Sequence, residues 1–153
     1  MDESTFVTVS QQNMTVFYRM AYSIVKNQAD AEDAVQQALL NAWKARQSAR
    51  EGLERAWLMR IVINECYSLL RRRRSQPCAL IEKAVLPPED TGLYDAIHAL
   101  PESLRIPFLL KYMEGLQLNE VAKAMNLPIS SVKNRLFRAR KQLQQQLNEE
   151  VEW

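Results

Sequence analysis

The chain has 153 residues, 47% of them hydrophobic, which is enough for one ordinary domain or two small ones. No apolar run approaches the roughly 20 residues of a membrane span, and the start MDESTFVTVS lacks the basic and apolar parts of a secretory signal, so we expect a cytoplasmic protein. The only cysteines, Cys66 and Cys78, are too few for a disulfide framework and form no metal-binding motif.

Charge is distributed unevenly along the chain. The net charge is only +2, but residues 41–78 contain nine basic and three acidic residues, and residues 122–148 contain six basic residues and no acidic one. Two separate basic blocks indicate two separate contacts with a polyanion. Glycine and proline are few, helical periodicity dominates, and the single histidine, His98, has no recognisable catalytic partner. We therefore expect an all-α protein that is not an enzyme and that needs no metal or other cofactor.

Two amphipathic helices are predicted first, one over residues 13–27 and one from an N-cap at Asp30 to about Arg46. The second helix has a stripe of small apolar residues that allows close packing: Ala31, Ala34, Val35, Ala38, Ala42 and Ala45. Off this stripe lies a group that we name the docking patch: Asp33, Gln36, Leu40 and Trp43. An aromatic anchor among polar groups is typical of a protein-binding surface, although composition alone favours Leu40 and Trp43 as part of the domain's own core.

After the loop QSAREGLER, residues 56–74 read AWLMRIVINECYSLLRRRR. The broad apolar face of this helix leaves one strip of residues at steps of three or four, which we name the aromatic–arginine stripe: Trp57, Arg60, Asn64, Tyr67 and Arg71. The stripe continues into Arg72, Arg73 and Arg74. Aromatic rings stack on unpaired bases, an amide bonds base edges and cations follow phosphates, so the stripe suits single-stranded nucleic acid. A solvated helix face with two half-buried aromatics would show the same pattern.

Residues 75–92, SQPCALIEKAVLPPEDTG, contain three prolines and a glycine and predict a linker. We therefore expect two helical domains, residues 1–74 and residues 93–153, each with one basic block. In the second domain, a helix is expected to start at Pro101 and to stop at Gly115. Pro107 within it removes one backbone hydrogen bond and should kink it.

The segment LQLNEVAKAMNLPISSVKNRLFRARKQLQQQL has the spacing of a helix-turn-helix, with Asn126 at the tight turn and the second helix starting at about Ser130, its N-cap. The core stripe of that second helix is Val132, Leu136, Ala139, Leu143 and Leu147. We name the other side the reading face: Ser130, Ser131, Lys133, Asn134, Phe137, Arg138, Arg140 and Lys141. Phe137 lies about 120° from the core stripe among cations and an amide, which packing explains poorly and contact with a base in the major groove explains well.

The order and spacing of these motifs resemble the extracytoplasmic-function group of bacterial RNA polymerase sigma factors, whose regions two and four are similar to most of this chain. The resemblance rests on FYRMAYSIVKNQADAEDAVQQALLNAW, AWLMRIVINECYSLLRRRR and LPESLRIPFLLKYMEGLQLNEVAKAMNLPISSVKNRLFRARKQL. Gln37 and Asn126 depart from it, since the family often has Glu and Gly at these positions.

The resemblance implies a role for each surface. Asp33 and Gln36 would meet the clamp helices of the polymerase β′ subunit, within a core enzyme that includes β. Asn64 and the loop before Trp57 would capture a flipped base of the minus-ten element, and Lys133, Asn134, Phe137 and Arg138 would read the minus-thirty-five element. It further implies a protein that is monomeric when free and an anti-sigma partner, which in this family is often membrane-bound.

Two other interpretations stay open on the residues alone. A transcriptional regulator that binds only duplex DNA would share the helix-turn-helix but would have no use for the aromatic–arginine stripe. A helical adaptor that docks proteins through Leu40 and Trp43 would leave both basic blocks unexplained.

Overall fold

The computed structural model describes residues 1–74 and 91–147, and it contains no strand in these ranges, as the helical periodicity predicts. Its helices are α1 (Glu3–Val25), α2 (Gln28–Lys44), α3 (Glu54–Arg74), α4 (Thr91–Ala99), α5 (Glu102–Phe108), α6 (Leu118–Met125) and α7 (Ile129–Leu147). A 3₁₀ turn at Arg46–Ser48 follows α2, and a π-helical segment, π1, at Leu109–Met113 follows α5. The chain divides into two compact units, the first built from α1–α3 and the second from α4–α7.

Helix α1 begins at Glu3 rather than at residue 13, so the sequence prediction missed its first turns. The Asp2 carboxylate accepts a hydrogen bond from the Thr5 N–H at 2.7 Å, which caps the helix. Hydrogen bonds from the Thr5 side chain and from this N–H lower the pKa of Asp2. Among residues 3–12 only Phe6 and Ser10 are buried, and most of the other side chains face solvent. With so little apolar repetition, periodicity alone could not reveal it.

Helix α2 starts two residues before Asp30, which was predicted to be its N-cap. The cap is Asn27, whose Oδ1 accepts from the Asp30 N–H at 2.9 Å. The predicted stripe of small residues is buried from Ala31 to Ala42, while Ala45 lies beyond the helix end and is exposed. Small side chains let α2 approach α1 and α3 closely, so that the three helices form one core.

In the second unit, α7 packs against α4, α5 and α6. Pro107 lies inside α5 and has no N–H to donate to the Ser103 carbonyl one turn earlier. Arg135 of α7 supplies the missing donor, with its Nη1 at 3.2 Å from the Ser103 oxygen. Two residues after Pro107 the α-helical pattern gives way to π1, so the continuous helix that the sequence predicted is divided into two kinds of helix.

The segment ends at Gly115, as predicted, with a backbone φ of 73°. The Leu116 N–H then reaches back to the Leu110 carbonyl at 2.9 Å, a closure that requires this left-handed residue. The predicted linker at residues 75–92, with Cys78, lies almost wholly outside the described residues. No helix within the described ranges combines the length and the apolar character that crossing a membrane requires.

Candidate nucleic-acid interface

The docking patch on α2 is only partly open to solvent. Asp33, Gln36 and Leu40 are exposed, Leu40 to 57%. Trp43 is half-buried, because its ring meets the edge of Phe6 at 5.2 Å between centroids and the Arg46 guanidinium lies 3.9 Å above it. Trp43 thus belongs in part to the core of its own domain, whereas Leu40 does not.

On α3 the aromatic–arginine stripe begins one turn later than predicted. Asn64 and Arg71 are exposed, and Arg60 and Tyr67 are half-buried. Trp57 is only 8% exposed, so the prediction that it lies on this open stripe is wrong. Residues 56–59 are all buried, because α1 and α2 pack against α3, and a large indole ring gains most from that burial.

The sequence pattern suggested that the arginines at the end of α3 are all free to bind a polyanion, but two of them form ion pairs within the protein. The Arg72 guanidinium lies 3.3 Å from the carboxylate of Glu65, which is itself only 9% exposed, and Arg73 forms an ion pair with Asp30 of α2. Asn41 of α2 also donates to Glu65, at 3.4 Å. Arg73 therefore links α3 to α2, and Arg72 pairs with a carboxylate of its own helix, while the side chain of Arg74 lies outside the described residues.

Cys66 lies one residue after Glu65 and is fully buried. Burial, with a smaller effect from the Glu65 charge, raises the pKa of its thiol from 9.0 to about 12. Because the thiolate is the reactive form, Cys66 behaves as a small apolar core residue at neutral pH.

The turn before α7 has the geometry that its sequence predicts. Asn126 adopts a left-handed conformation, with φ 55° and ψ 48°. The Leu127 N–H bonds back to the Ala122 carbonyl at 2.9 Å, and the Val132 N–H bonds to the Pro128 carbonyl at 3.2 Å. Helix α7 begins at Ile129, one residue before the predicted cap at Ser130, and its first turn presents Ser130 to solvent.

Helix α7 has one buried side and one open side. Its core stripe is buried from Val132 to Leu143, and Leu147 at its end is half-buried. The reading face is exposed at Ser130, Lys133, Asn134, Phe137, Arg138 and Lys141, and half-buried at Ser131 and Arg140. The Phe137 ring is 50% exposed, with the Lys141 ammonium 5.1 Å from its centroid. The predicted separation of core stripe and reading face is confirmed.

Two flanking features of the reading face were not predicted. On one flank, Arg140 donates from Nη1 to the phenolic oxygen of Tyr112 in π1. On the other flank, a groove of about 410 Å³ runs between the start of α5 and α7. It is lined by Pro101, Ser103, Leu104, Arg138, Lys141, Gln142 and Gln145. The tyrosine contact joins residues 28 positions apart, so no local spacing pattern could have revealed it.

Comparisons with known proteins agree with this geometry. Residues 10–76 match the family model described as sigma-70 region 2, and residues 91–143 match the model of sigma-70 region 4. The chain is 29% identical over 156 residues to the RNA polymerase sigma factor SigV of Bacillus subtilis, covering 97% of this chain and 94% of that protein. It is 32% identical over 134 residues to the ECF RNA polymerase sigma-E factor of Escherichia coli, covering 72% and 70%.

A solved structure is also similar along nearly the whole chain. It is the co-crystal structure of the sigma factor RpoE in complex with the anti-sigma factor NepR from Bartonella quintana. The similarity has a TM-score of 0.79 at 26% identity and covers 96% of this chain and 99% of that one.

Proposed function

The chain belongs to the extracytoplasmic-function group of sigma-70 factors, which direct promoter-specific transcription by RNA polymerase, and we propose that its two units read two different states of the promoter. The second unit binds the minus-thirty-five element as duplex. The first unit binds the minus-ten element as a melted single strand. A regulator that binds only duplex DNA and a protein-docking adaptor both leave the region 2 match without a role.

The observation that carries the duplex assignment is the exposure of Phe137. Phe137 is 50% exposed on the side of α7 opposite a fully formed core stripe, between Asn134 and Lys141. Packing in the core does not explain an aromatic ring at this exposed position. An apolar edge beside hydrogen-bond donors suits contact with a thymine methyl group and with base edges in the major groove. Lys133, Asn134 and Phe137 are the proposed base readers, and Arg138, Arg140 and Lys141 bind phosphates.

The single-strand assignment rests on the open part of the aromatic–arginine stripe. Extruding a base costs a few kcal/mol, and stacking restores roughly 1–3 kcal/mol per base. With Trp57 buried, Tyr67 is the proposed stacking ring. Asn64, which is exposed one turn before it, selects the extruded base, and Arg60 and Arg71 contact the backbone.

The docking patch is the proposed contact with the β′ subunit of core polymerase. Asp33, Gln36 and Leu40 present an exposed acidic, amide and apolar group on successive turns of α2. The variant Asp33→Ala with Gln36→Ala should bind core enzyme more weakly at unchanged helicity. Unaltered affinity for core would remove this assignment.

The remaining partners follow from the same family. The sigma factor from Bartonella quintana is held by an anti-sigma factor, and we propose that this chain, monomeric when free, is restrained by such a protein until it is needed. We propose that it acts in the cytoplasm, where RNA polymerase works. It supplies recognition, and the polymerase supplies the catalysis.

The decisive experiment separates promoter binding from promoter opening. Holoenzyme with Asn64→Ala should bind the upstream duplex element normally but give little permanganate-reactive DNA near the start site, because the extruded base loses its edge contacts. A template with a pre-melted bubble should restore part of its transcription. Gln12→Ala, which removes another exposed amide of the first unit, is the control and should open promoters normally.

If Asn64→Ala opens intact promoters as well as the unaltered chain does, the stripe is an ordinary solvated helix face. The proposal for the first unit would then fail, while that for the second would stand.

A further inference from the structure

The contact between Tyr112 and Arg140 joins two parts of the second unit that the sequence keeps far apart. Arg140 lies on α7 three residues after Phe137, and Tyr112 lies in π1. The arginine Nη1 donates to the tyrosine oxygen. Arg140 is half-buried and the Tyr112 ring is 40% exposed, so the pair lies at the edge between the core and the reading face.

The tyrosine is held in place from its own side of the molecule. Its ring lies 4.9 Å from that of Phe108, which is only 2% exposed, so one side of the ring rests on the core. The π-type bond from the Glu114 N–H to the Leu109 carbonyl, at 3.0 Å, closes the backbone around it. The phenolic oxygen is thus a fixed acceptor at the flank of α7.

A fixed acceptor matters for an arginine that binds phosphate. An arginine loses rotamer freedom when it is immobilised on a ligand. A guanidinium has five N–H donors, so one bond to a phenol leaves others for phosphate oxygens. A guanidinium already held at the flank of the helix loses less freedom on binding.

From this geometry we propose that Tyr112 is a positioning residue for DNA binding, which holds the Arg140 guanidinium ready to contact a phosphate beside the major groove. The inference rests on the proposed function of α7 as the duplex reader. It adds a residue outside the helix-turn-helix to the DNA-binding apparatus. Tyr112 acts through Arg140 and carries no sequence information of its own.

The test is a double-mutant cycle on the 153-residue chain assembled with core RNA polymerase. The two ligands are a duplex selected for binding from a random library and a duplex of random sequence. Tyr112→Phe removes only the hydroxyl and keeps the ring on Phe108. It should weaken binding to both duplexes by about 2- to 10-fold, the range expected when one side chain must be ordered on binding. In an Arg140→Ala background the same change should have no further effect.

Tyr94→Phe is the matched control, because it removes a phenol of the same unit whose ring contacts His98. It should leave affinity unchanged. Unaltered binding by Tyr112→Phe, or an equal loss with and without Arg140, would overturn the inference. Loss of the preference for selected over random duplex in the unaltered chain would instead count against the proposed function, since the coupling is measurable on either duplex.

Discussion

Helices α3 and α7 contain most of the two basic blocks, and they differ in whether their basic side chains form ion pairs or face solvent. Helix α3 is buried at residues 56–59, and near its end Arg72 and Arg73 pair with Glu65 and Asp30. Helix α7 buries one stripe and leaves the opposite side to solvent. The two basic helices therefore differ in where their charges lie: two arginines of α3 pair with carboxylates, whereas Lys133, Arg138 and Lys141 lie on the open side of α7.

The comparison teaches that a run of cations does not by itself define a nucleic-acid surface. In α3, Arg73 contributes its positive charge to the contact between α2 and α3, so the surface left for the proposed single-strand contact is narrower than the sequence implies. In α7 the roles are separated by side, so single substitutions should affect either stability or binding. Four predictions test this contrast.

The largest effect is expected from adjacent residues on the two sides of α7. Leu136 and Phe137 are 3% and 50% exposed. Leu136→Ala should destabilise the second unit by about 2–5 kcal/mol through the cavity it leaves. Phe137→Ala should change the free energy of unfolding by less than about 0.5 kcal/mol. Amide hydrogen exchange of α7 in the full chain measures both, and a comparable loss of protection would show that both sides are core.

Next in size is the loss of sequence discrimination in Phe137→Ala. Its affinity for a duplex selected from a random library should fall by about 1–3 kcal/mol, because one apolar base contact is removed. The measurement is a competition binding assay, in which the selected duplex and a random duplex compete for the holoenzyme. Equal losses on the two duplexes would remove Phe137 from the set of readers.

A smaller effect is expected at Arg138, which lines the groove beside α5. Arg138→Ala should weaken selected and random duplexes alike, because phosphates carry no sequence. The slope of log affinity against log salt should fall by about 0.9, the loss of one phosphate contact. A loss confined to the selected duplex would instead make Arg138 a base reader.

The smallest effect, with the opposite sign, is expected in α3. Glu65→Gln removes the negative charge opposite Arg72 and should steepen the salt dependence of open-promoter binding by up to about 0.7, one single-strand phosphate. The mutated chain should be slightly less stable, by less than about 1 kcal/mol, because the Arg72 side chain is 62% exposed. Glu32→Gln makes the same charge change on α2 without an arginine at its carboxylate and should not alter the slope. An unchanged slope in Glu65→Gln would place Arg72 out of reach of DNA.

Sequence reasoning succeeded where structure depends on repetition. The core stripe of α7 and the small-residue stripe of α2 recur at helical spacing, and both are buried as predicted except at their last residues, Leu147 and Ala45. Asn126 was identifiable because few residues tolerate a left-handed conformation. Helical repetition and the backbone preferences of single residues can therefore be recognised from the sequence alone.

It failed where structure depends on distant partners. Trp57 has the spacing of a surface residue, yet it lies in the buried stretch 56–59, because α1 and α2 pack there and the periodicity of one helix does not report its neighbours. The partners of Arg73 and Arg140 lie 43 and 28 residues away in the sequence, so no local pattern indicated that these arginines have partners within the protein. The docking patch lies between these cases, since Leu40 is exposed as predicted while Trp43 packs on Phe6.

The bond from Arg135 to the Ser103 carbonyl has a consequence for how the second unit forms. Helix α5 has only seven residues and contains a proline, so it is too short to persist alone. Its missing hydrogen bond is completed by a side chain 32 residues later in the chain, on the helix it packs against. The Ser103 carbonyl therefore exchanges solvent for a protein donor only when α7 docks. Folding of α5 and closure of the long chain segment become one cooperative event, which favours a unit that is either assembled with its reading helix in place or not assembled at all.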